Sequence, residues 1–140
     1  YEVSNYSKLN KNCIHNLSYW KGEDWIGVGP GATSRFFVGT KRMQINIRKD
    51  PNSWIKDVQN KQSGVSEISN ETTEDYMIEK VIMGLRLVNG INLNEVKNIL
   101  RMDRLKMLIE NNFIIHNKEL IKTTFKGRLN LNTILAEIIK

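Results

Sequence analysis

The stretch Thr72–Gly90, "TTEDYMIEKVIMGLRLVNG", carries the strongest structural signal in this 140-residue chain. Thr72, followed three residues later by Asp75, resembles a capping box, which satisfies free amide groups at the start of a helix. Apolar side chains then recur at helical spacing and form one stripe, made of Met77, Ile78, Val81, Ile82 and Leu85. Gly90 is a typical helix terminator, so the stretch predicts an amphipathic helix that packs on a core.

The residues after this helix predict a small helical module. We expect a short helix over Leu93–Leu100 and another over residues 101–112, in which Leu105, Leu108 and Ile109 face inward. "FIIHNKELIKTT" (113–124) predicts two strands joined by a turn at Asn117-Lys118, and a final helix is expected to bury Leu131, Leu135 and Ile138. Helices, a hairpin and a closing helix in this order indicate a winged-helix-like domain.

The residues before the helix predict short strands. "YEVSNY" (1–6), "DWIGVG" (24–29), "ATSRFFVGT" (32–40) and "RMQINI" (42–47) cluster β-branched and aromatic residues between turn formers. Pro51 is well placed to begin a helix over 51–62, and "SGVSEISN" (63–70) is rich in turn formers and indicates a boundary. The predicted class is therefore α+β, with residues 1–62 and 63–140 as the two parts.

Bulk composition limits the classes of protein to consider. Hydrophobic residues make up 40% and charged residues 26%, and no apolar run reaches the roughly 20 residues that cross a bilayer. Without a transmembrane segment or a signal segment we predict a cytoplasmic location. The one cysteine, Cys13, excludes an internal disulfide and a cysteine metal cluster. Because Tyr1 begins inside a predicted strand, we expect a piece of a longer protein.

The net charge of +6 is uneven, since residues 1–80 carry 11 basic and 10 acidic side chains and residues 81–140 carry 10 and 5. A basic module can bind nucleic acid or an acidic partner, but a solvated helix surface has the same composition. Two acidic residues, Asp103 and Glu110, interrupt the basic residues Arg101, Arg104 and Lys106, so the net positive charge is low for a phosphate-binding surface. We predict no nucleic-acid partner and keep the basic docking module as an alternative.

The segment "HNLSYW" (15–20) combines a histidine with two aromatic residues. In a helix, His15 would share one face with Tyr19, and Asn16 would share another with Trp20. A neutral imidazole beside flat aromatic surface suits an axial haem ligand, and Cys13 is close enough to be a second soft ligand. A packed, hydrogen-bonded aromatic cluster is the alternative interpretation.

The segment "GVGPGA" (27–32) allows a close backbone approach to a ligand or to another part of the fold. A strand is expected to follow it, which disfavours a dinucleotide fold. Neither histidine has a nucleophile and an acid at suitable spacing, so the residues contain no self-contained catalytic set.

Five motifs in order resemble the C-terminal part of one radical S-adenosylmethionine family, which includes oxygen-independent coproporphyrinogen III oxidase and haem-chaperone relatives. They are "YEVSNYSK", "HNLSYW", "DWIGVGPGATS", "MIEKVIMGLRLVNGI" and "TTFKGRLNLNTIL". The resemblance implies that residues 1–62 hold the last strands of a partial α/β barrel and a connecting helix, followed by a winged-helix-like domain over 63–140. It also implies a four-iron cluster and S-adenosylmethionine in the full-length protein. The cluster motif is absent from these residues, so this chain is expected to be inactive alone.

The resemblance to the haem-chaperone branch rests on "HNxxYW". It implies haem binding by His15, Asn16, Tyr19 and Trp20, with His15 on the iron, and transfer of haem to an acceptor protein. It further implies a segment close to S-adenosylmethionine, made of Gly27, Gly29, Gly31, Ala32 and Ser34. Thr33 departs from the family, where histidine is common at this position.

The alternative within the same family is the oxidase itself, which decarboxylates two propionate side chains. Arg35, Lys41 and Arg42 would then pair with substrate carboxylates. In either case, strands near Tyr1 and Trp25 that lack neighbours would expose edges, and we expect self-association.

Overall fold

The computed structural model describes all residues from Tyr1 to Lys140. The helices are α1 (Ile14–Lys21), α2 (Pro51–Lys61), α3 (Thr73–Gly84), α4 (Leu93–Val96), α5 (Met102–Glu110), α6 (Phe125–Leu129) and α7 (Leu131–Ile138). The strands are β1 (Thr33–Val38), β2 (Lys41–Ile47), β3 (Val65–Glu71), β4 (Ile91–Asn92), β5 (Ile114–Asn117) and β6 (Leu120–Thr123). The predicted mixture of helices and strands is confirmed, and the chain divides into two compact units.

Residues Glu23–Tyr76 form one unit around a three-stranded antiparallel sheet with the order β1-β2-β3. Val38 pairs with Lys41, so a two-residue turn at Gly39-Thr40 joins β1 to β2. Helix α2 begins at Pro51 as predicted, and the Asp50 carboxylate caps it by accepting the Ser53 N–H at 2.7 Å. The sheet and one helix thus fix the segment that contains the glycine motif.

The interpretation of residues 63–70 as a turn-rich boundary was wrong at the level of secondary structure, because Val65–Glu71 form β3 and pair with β2. The polar residues that suggested a turn lie on an exposed edge strand, where one side faces water. The assignment of residues 1–62 and 63–140 to two domains of the complete protein stays a prediction.

Residues Tyr1–Gly22 and Met77–Lys140 form the other unit, whose sheet has the order β4-β6-β5. The unit has a continuous apolar core, made of Val81, Leu85, Ile91, Leu93, Val96, Ile99, Leu100, Leu105, Ile114, Ile121, Leu131, Ile134 and Ile138. Each core side chain is at most 9% exposed. Of the predicted stripe, Val81 in α3 and Leu85 just after it are buried in this core, whereas Ile82 is 38% exposed.

Three predicted elements differ in detail. Helix α3 ends at Gly84, where a methyl group would lie 1.9 Å from the Ile91 side chain. Gly90 instead adopts a φ of 73° against β6. The hairpin turn is Lys118-Glu119, one residue later than predicted, since Asn117 pairs with Leu120.

The other differences are shortened elements. The predicted helix over Leu93–Leu100 is α4 followed by a 3₁₀ turn over Lys97–Ile99. The predicted strands over 1–6 and 24–29 are reduced to single bridges at Glu2 and Trp25. No helix is both long enough and apolar enough to span a bilayer. The barrel origin of the first part and the winged-helix character of the second stay predictions.

Candidate functional site

The segment "HNLSYW" lies in α1, as the predicted face pairing requires. Cys13 precedes the helix in an extended conformation and makes no side-chain capping hydrogen bond. Gly22 ends it in the left-handed conformation, with its N–H donating to the Ser18 and Tyr19 carbonyls. No residue of α1 is fully buried, so this short helix has little core packing of its own.

One face of α1 presents His15 and Tyr19. The two rings meet edge to face with centroids 4.8 Å apart and planes at 80°, an arrangement that aromatic rings favour. The imidazole is exposed, and neither of its nitrogens makes a hydrogen bond within the chain. This face therefore offers an exposed imidazole nitrogen beside a phenol ring, and ligation of haem iron by His15 stays a prediction.

The other face of α1 attaches the helix to its unit. The Asn16 amide donates to the Tyr1 hydroxyl at 2.9 Å, and the Arg86 guanidinium lies 4.7 Å from the centre of the Trp20 ring. The Trp20 indole nitrogen is buried without a hydrogen-bond partner. Asn16 and Trp20 thus contact the rest of their unit and orient the helix, and their predicted contact with haem stays a prediction.

Arg86 also neutralises a buried carboxylate. Glu2 has a fully buried side chain, and its Oε2 lies 3.7 Å from the Arg86 Nε. Its other oxygen accepts hydrogen bonds from the Ser4 N–H and hydroxyl at 2.9 and 2.8 Å, and from the Asn5 amide. Burial alone would raise the pKa of Glu2, but these hydrogen bonds and Arg86 outweigh it, so that the pKa lies below its ordinary value. Glu2 is therefore charged at neutral pH and holds Arg86 beside Trp20.

The glycine segment folds back onto β1 in the unit of residues Glu23–Tyr76. The Gly27 N–H donates to the Ser34 hydroxyl at 3.0 Å, and a methyl group at Gly27 would lie 2.4 Å from the Thr33 carbonyl oxygen. Gly29 and Gly31 have φ values of 95° and 76°, which only glycine adopts at low cost. The close approach at Gly27 is thus to the chain itself, and the buried Ser34 is part of that packing.

A cavity of about 390 Å³ begins where the glycine segment ends. Gly31, Ala32, Arg48 and Lys49 line it, together with residues of β2 and β3. A methyl group at Gly29 would meet nothing within 4 Å, so backbone is open to solvent there. These features are compatible with a bound small molecule, and the assignment of the segment to S-adenosylmethionine stays a prediction.

The predicted carboxylate-binding cations have other partners. The Arg42 side chain is 1% exposed, with its guanidinium 4.6 Å from the Tyr76 ring centre and 3.5 Å from Glu71 Oε2. The Arg35 Nε lies 3.2 Å from Glu71 Oε1 and 2.9 Å from the Gln44 amide oxygen. Lys41 is exposed at the hairpin turn. Two of the three cations are therefore engaged by the same internal carboxylate, which weakens the interpretation that they bind substrate.

Metal-ligand chemistry is sparse in this chain. Cys13 is an exposed free thiol at the start of α1, and no group of three or more His, Cys, Asp or Glu side chains could hold a metal ion. These residues do not fit a four-iron cluster. Cys13 as a second haem ligand stays a prediction.

The basic residues of α5 are balanced by acids. The Arg104 Nε lies 3.8 Å from Glu137, and the Lys106 ammonium lies 3.9 Å from Glu110. Such exposed pairs are weak, but they reduce the local positive potential that phosphate binding needs. The geometry thus gives no specific support to nucleic-acid binding.

Comparison with known proteins identifies the relatives. The family model described as "HemN C-terminal domain" matches residues 72–129. "Radical S-adenosyl methionine domain-containing protein 1, mitochondrial" of Danio rerio is 30% identical over 99% of this chain and 34% of its own length. "Heme chaperone HemW" of Buchnera aphidicola (strain APS) is 29% identical over 100% of the chain and 38% of its own length, and that of Bacillus subtilis is 26% identical over 99% and 38%.

A solved structure has a similar fold. It is that of the coproporphyrinogen III oxidase HemN of Escherichia coli, which is described as a radical SAM enzyme. The TM-score is 0.58 with 20% identity, over 81% of this chain and 28% of that one. The matches are thus to a family model named for a C-terminal domain and to proteins named as haem chaperones and radical S-adenosylmethionine proteins. The resemblance read from the five motifs is confirmed, and the chain spans about a third of the length of the curated relatives it matches.

The residues that position α1 were not identified from the sequence. Tyr1, Glu2 and Arg86 hold α1, but Arg86 is 66 positions after Trp20 and is the one charged residue in the apolar stretch from Val81 to Asn94. Local spacing carries no signal for such a long-range pair. Glu71 was missed for a different reason, because its pairing with Arg35 and Arg42 follows from β3, which was not predicted.

Proposed function

We propose that this chain supplies the haem-binding surface of a haem chaperone, with His15 as the iron ligand. The observation that carries the proposal is the exposed His15 imidazole, whose nitrogens make no internal hydrogen bond and whose ring is set against Tyr19. A neutral imidazole that is already oriented loses little conformational entropy when it binds iron. Haem is the cargo in this proposal.

The two faces of α1 support different parts of this function. Asn16 and Trp20 fix the helix through Tyr1 and Arg86, whereas His15 is exposed and lies against the half-buried Tyr19 ring. A carrier must release its ligand, and an open site on a surface helix suits exchange better than an enclosed cavity. We therefore propose that the complete protein presents haem on this face and passes it to an acceptor protein.

The names of the relatives support the same function. Several are called haem chaperones, and others radical S-adenosylmethionine proteins. In the complete protein we propose an iron-sulfur cluster and S-adenosylmethionine on residues outside this chain, with the glycine segment near the latter. We further propose a cytoplasmic location and no nucleic-acid partner.

A haem titration followed by absorbance tests the proposal. We expect a saturable shift of the haem absorption band for the wild-type chain, which is lost in His15→Ala. His116→Ala is the matched control, because His116 is exposed on β5, in a different element of the same unit. The absence of a saturable shift in the wild type, or an equal shift in His15→Ala, would refute the ligand assignment. Transfer is then measured by mixing the loaded chain with apomyoglobin as a stand-in acceptor.

A further inference from the structure

The residues just before α1 form a small closed loop. The Ser7 hydroxyl donates to the Asn12 side-chain oxygen at 2.5 Å, and the Lys11 N–H donates to the Lys8 carbonyl at 3.0 Å. We call residues 7–12 the Ser7–Asn12 loop. Asn12 and His15 are three positions apart in the chain, so their Cα atoms lie within about 11 Å of each other. The loop is therefore next to the proposed iron ligand by chain geometry alone.

Large apolar side chains around this loop are almost fully open to solvent. Leu9 at its tip and Tyr6 at its base are each 90% exposed, and Ile14 in the first turn of α1 is 81% exposed. Single exposed apolar residues are ordinary, but three of them within nine residues, close in sequence to an exposed imidazole, are an unusual concentration of exposed apolar side chains. Within the chain nothing covers them.

The same segment is purely basic. Residues 3–22 contain three lysines and no aspartate or glutamate. Lys8 and Lys11 are exposed in the loop, and neither takes part in an ion pair. A ligand that reaches this surface thus meets two ammonium groups and no acid of the segment.

We propose that the Ser7–Asn12 loop is the second half of the haem site. In this arrangement Lys8 and Lys11 pair with the two propionate carboxylates, while Leu9 and Tyr6 lie against the macrocycle of the haem that His15 ligates. Haem combines one flat apolar ring with two carboxylates, and the loop offers apolar area and two cations in the same few residues. This inference rests on the proposed function and goes beyond the "HNxxYW" motif, which contains none of these residues.

Esterified haem separates the charge contacts from the rest. Ferric haem and its dimethyl ester, in which both propionates are uncharged, are titrated into the wild type and into Lys8→Gln/Lys11→Gln. Each exposed ion pair is worth less than about 1 kcal/mol, so we expect about three- to tenfold weaker haem binding by the double variant. Binding of the ester should change by less than about twofold. The control Lys56→Gln/Lys97→Gln removes the same charge from exposed sites in other elements.

The apolar part has its own test. Leu9→Gln should weaken binding of both haem and the ester, whereas Leu129→Gln, at a leucine that is 72% exposed on α6, should weaken neither. Haem binding that depends on His15 but is unchanged in the Lys8/Lys11 and Leu9 variants would overturn this inference and leave the proposed function standing. Absence of haem binding in the wild type would overturn both.

A membrane surface is the other ligand that basic and apolar residues can suit. Sedimentation with vesicles of equal phosphatidylglycerol and phosphatidylcholine distinguishes it from haem. Vesicle binding that is lost in Lys8→Gln/Lys11→Gln, together with unchanged haem affinity, would assign the loop to membranes and overturn the inference. The expected result is a specific loss of haem affinity.

Discussion

Replacing Arg86 by leucine is expected to loosen α1 without unfolding the core of its unit. The substitution removes a guanidinium 4.7 Å from the Trp20 ring, which is worth about 1 kcal/mol. It also removes the cation 3.7 Å from Glu2, whose side chain is fully buried while that of Arg86 is 28% exposed. Such a half-buried pair lies between surface and interior pairs and contributes about 1–2 kcal/mol. The free energy of local opening of α1 should therefore fall by about 2–3 kcal/mol.

Amide hydrogen exchange measures this quantity, because it reports local opening separately from global unfolding. The amides of Leu17 and Gly22 donate within and at the end of α1 and should exchange roughly 30- to 150-fold faster in the variant. Amides of β6 in the same unit should keep their protection. Arg104→Leu is the matched control, since Arg104 is 47% exposed and contacts only exposed acids of α5 and α7. Exchange of α1 that is the same in Arg86→Leu and in Arg104→Leu would refute the anchoring role.

Three further predictions concern groups that the fold uses. Because the pKa of Glu2 is lowered in the folded chain, its charged carboxylate contributes stability at pH values above the ordinary pKa of 4.5. This contribution is lost as the pH falls through the folded pKa. Protection of the α1 amides should therefore decline below pH 4.5 in the wild type but stay level in Glu2→Gln. Gly90→Ala should destabilise its unit by at least about 2 kcal/mol in urea unfolding, because its methyl group would lie 2.1 Å from the Ile121 carbonyl oxygen and its φ is 73°. Gly29→Ala, which has open space around it, should cost only about 1 kcal/mol. Glu71→Gln should lower the protection of β2 amides by about 2–4 kcal/mol, since Arg42 is buried against it; unchanged protection would contradict the proposed pairing.

Helices with strong periodicity were predictable from the sequence because their signals are local. The stripe of α3, the capping residues around Thr72 and the proline at the start of α2 each act within a few positions. Strand β3 was not predictable in the same way, because its side chains are largely exposed and its existence depends on pairing with β2. The need for glycine at position 84 likewise depends on its packing against Ile91, a contact between separate elements.

In the candidate site too, local spacing was predictable from the sequence, whereas contacts between distant residues were not. The spacing of four between His15 and Tyr19, and between Asn16 and Trp20, correctly predicted two faces of one helix. Which face points to solvent was not encoded locally, since it depends on Arg86. For the glycine segment, the sequence predicted a close backbone approach but did not say whether to a ligand or to the chain itself. At Gly27 the approach is to Thr33.

Because α1 has two faces, experiments can separate binding of haem by His15 from attachment of the helix through Asn16 and Trp20. A helix of eight residues with no buried side chain is marginal on its own, so its order depends on the contacts of Asn16 and Trp20. Haem that binds only the ordered helix stabilises it, and a bound sample should show slower exchange of α1 in the wild type and in Arg86→Leu alike. The apparent affinity of Arg86→Leu falls only by the fraction of molecules in which α1 is still formed. His15→Ala, by contrast, should leave the exchange of free α1 nearly unchanged while abolishing the protection that haem confers, which separates binding iron from holding the helix in place.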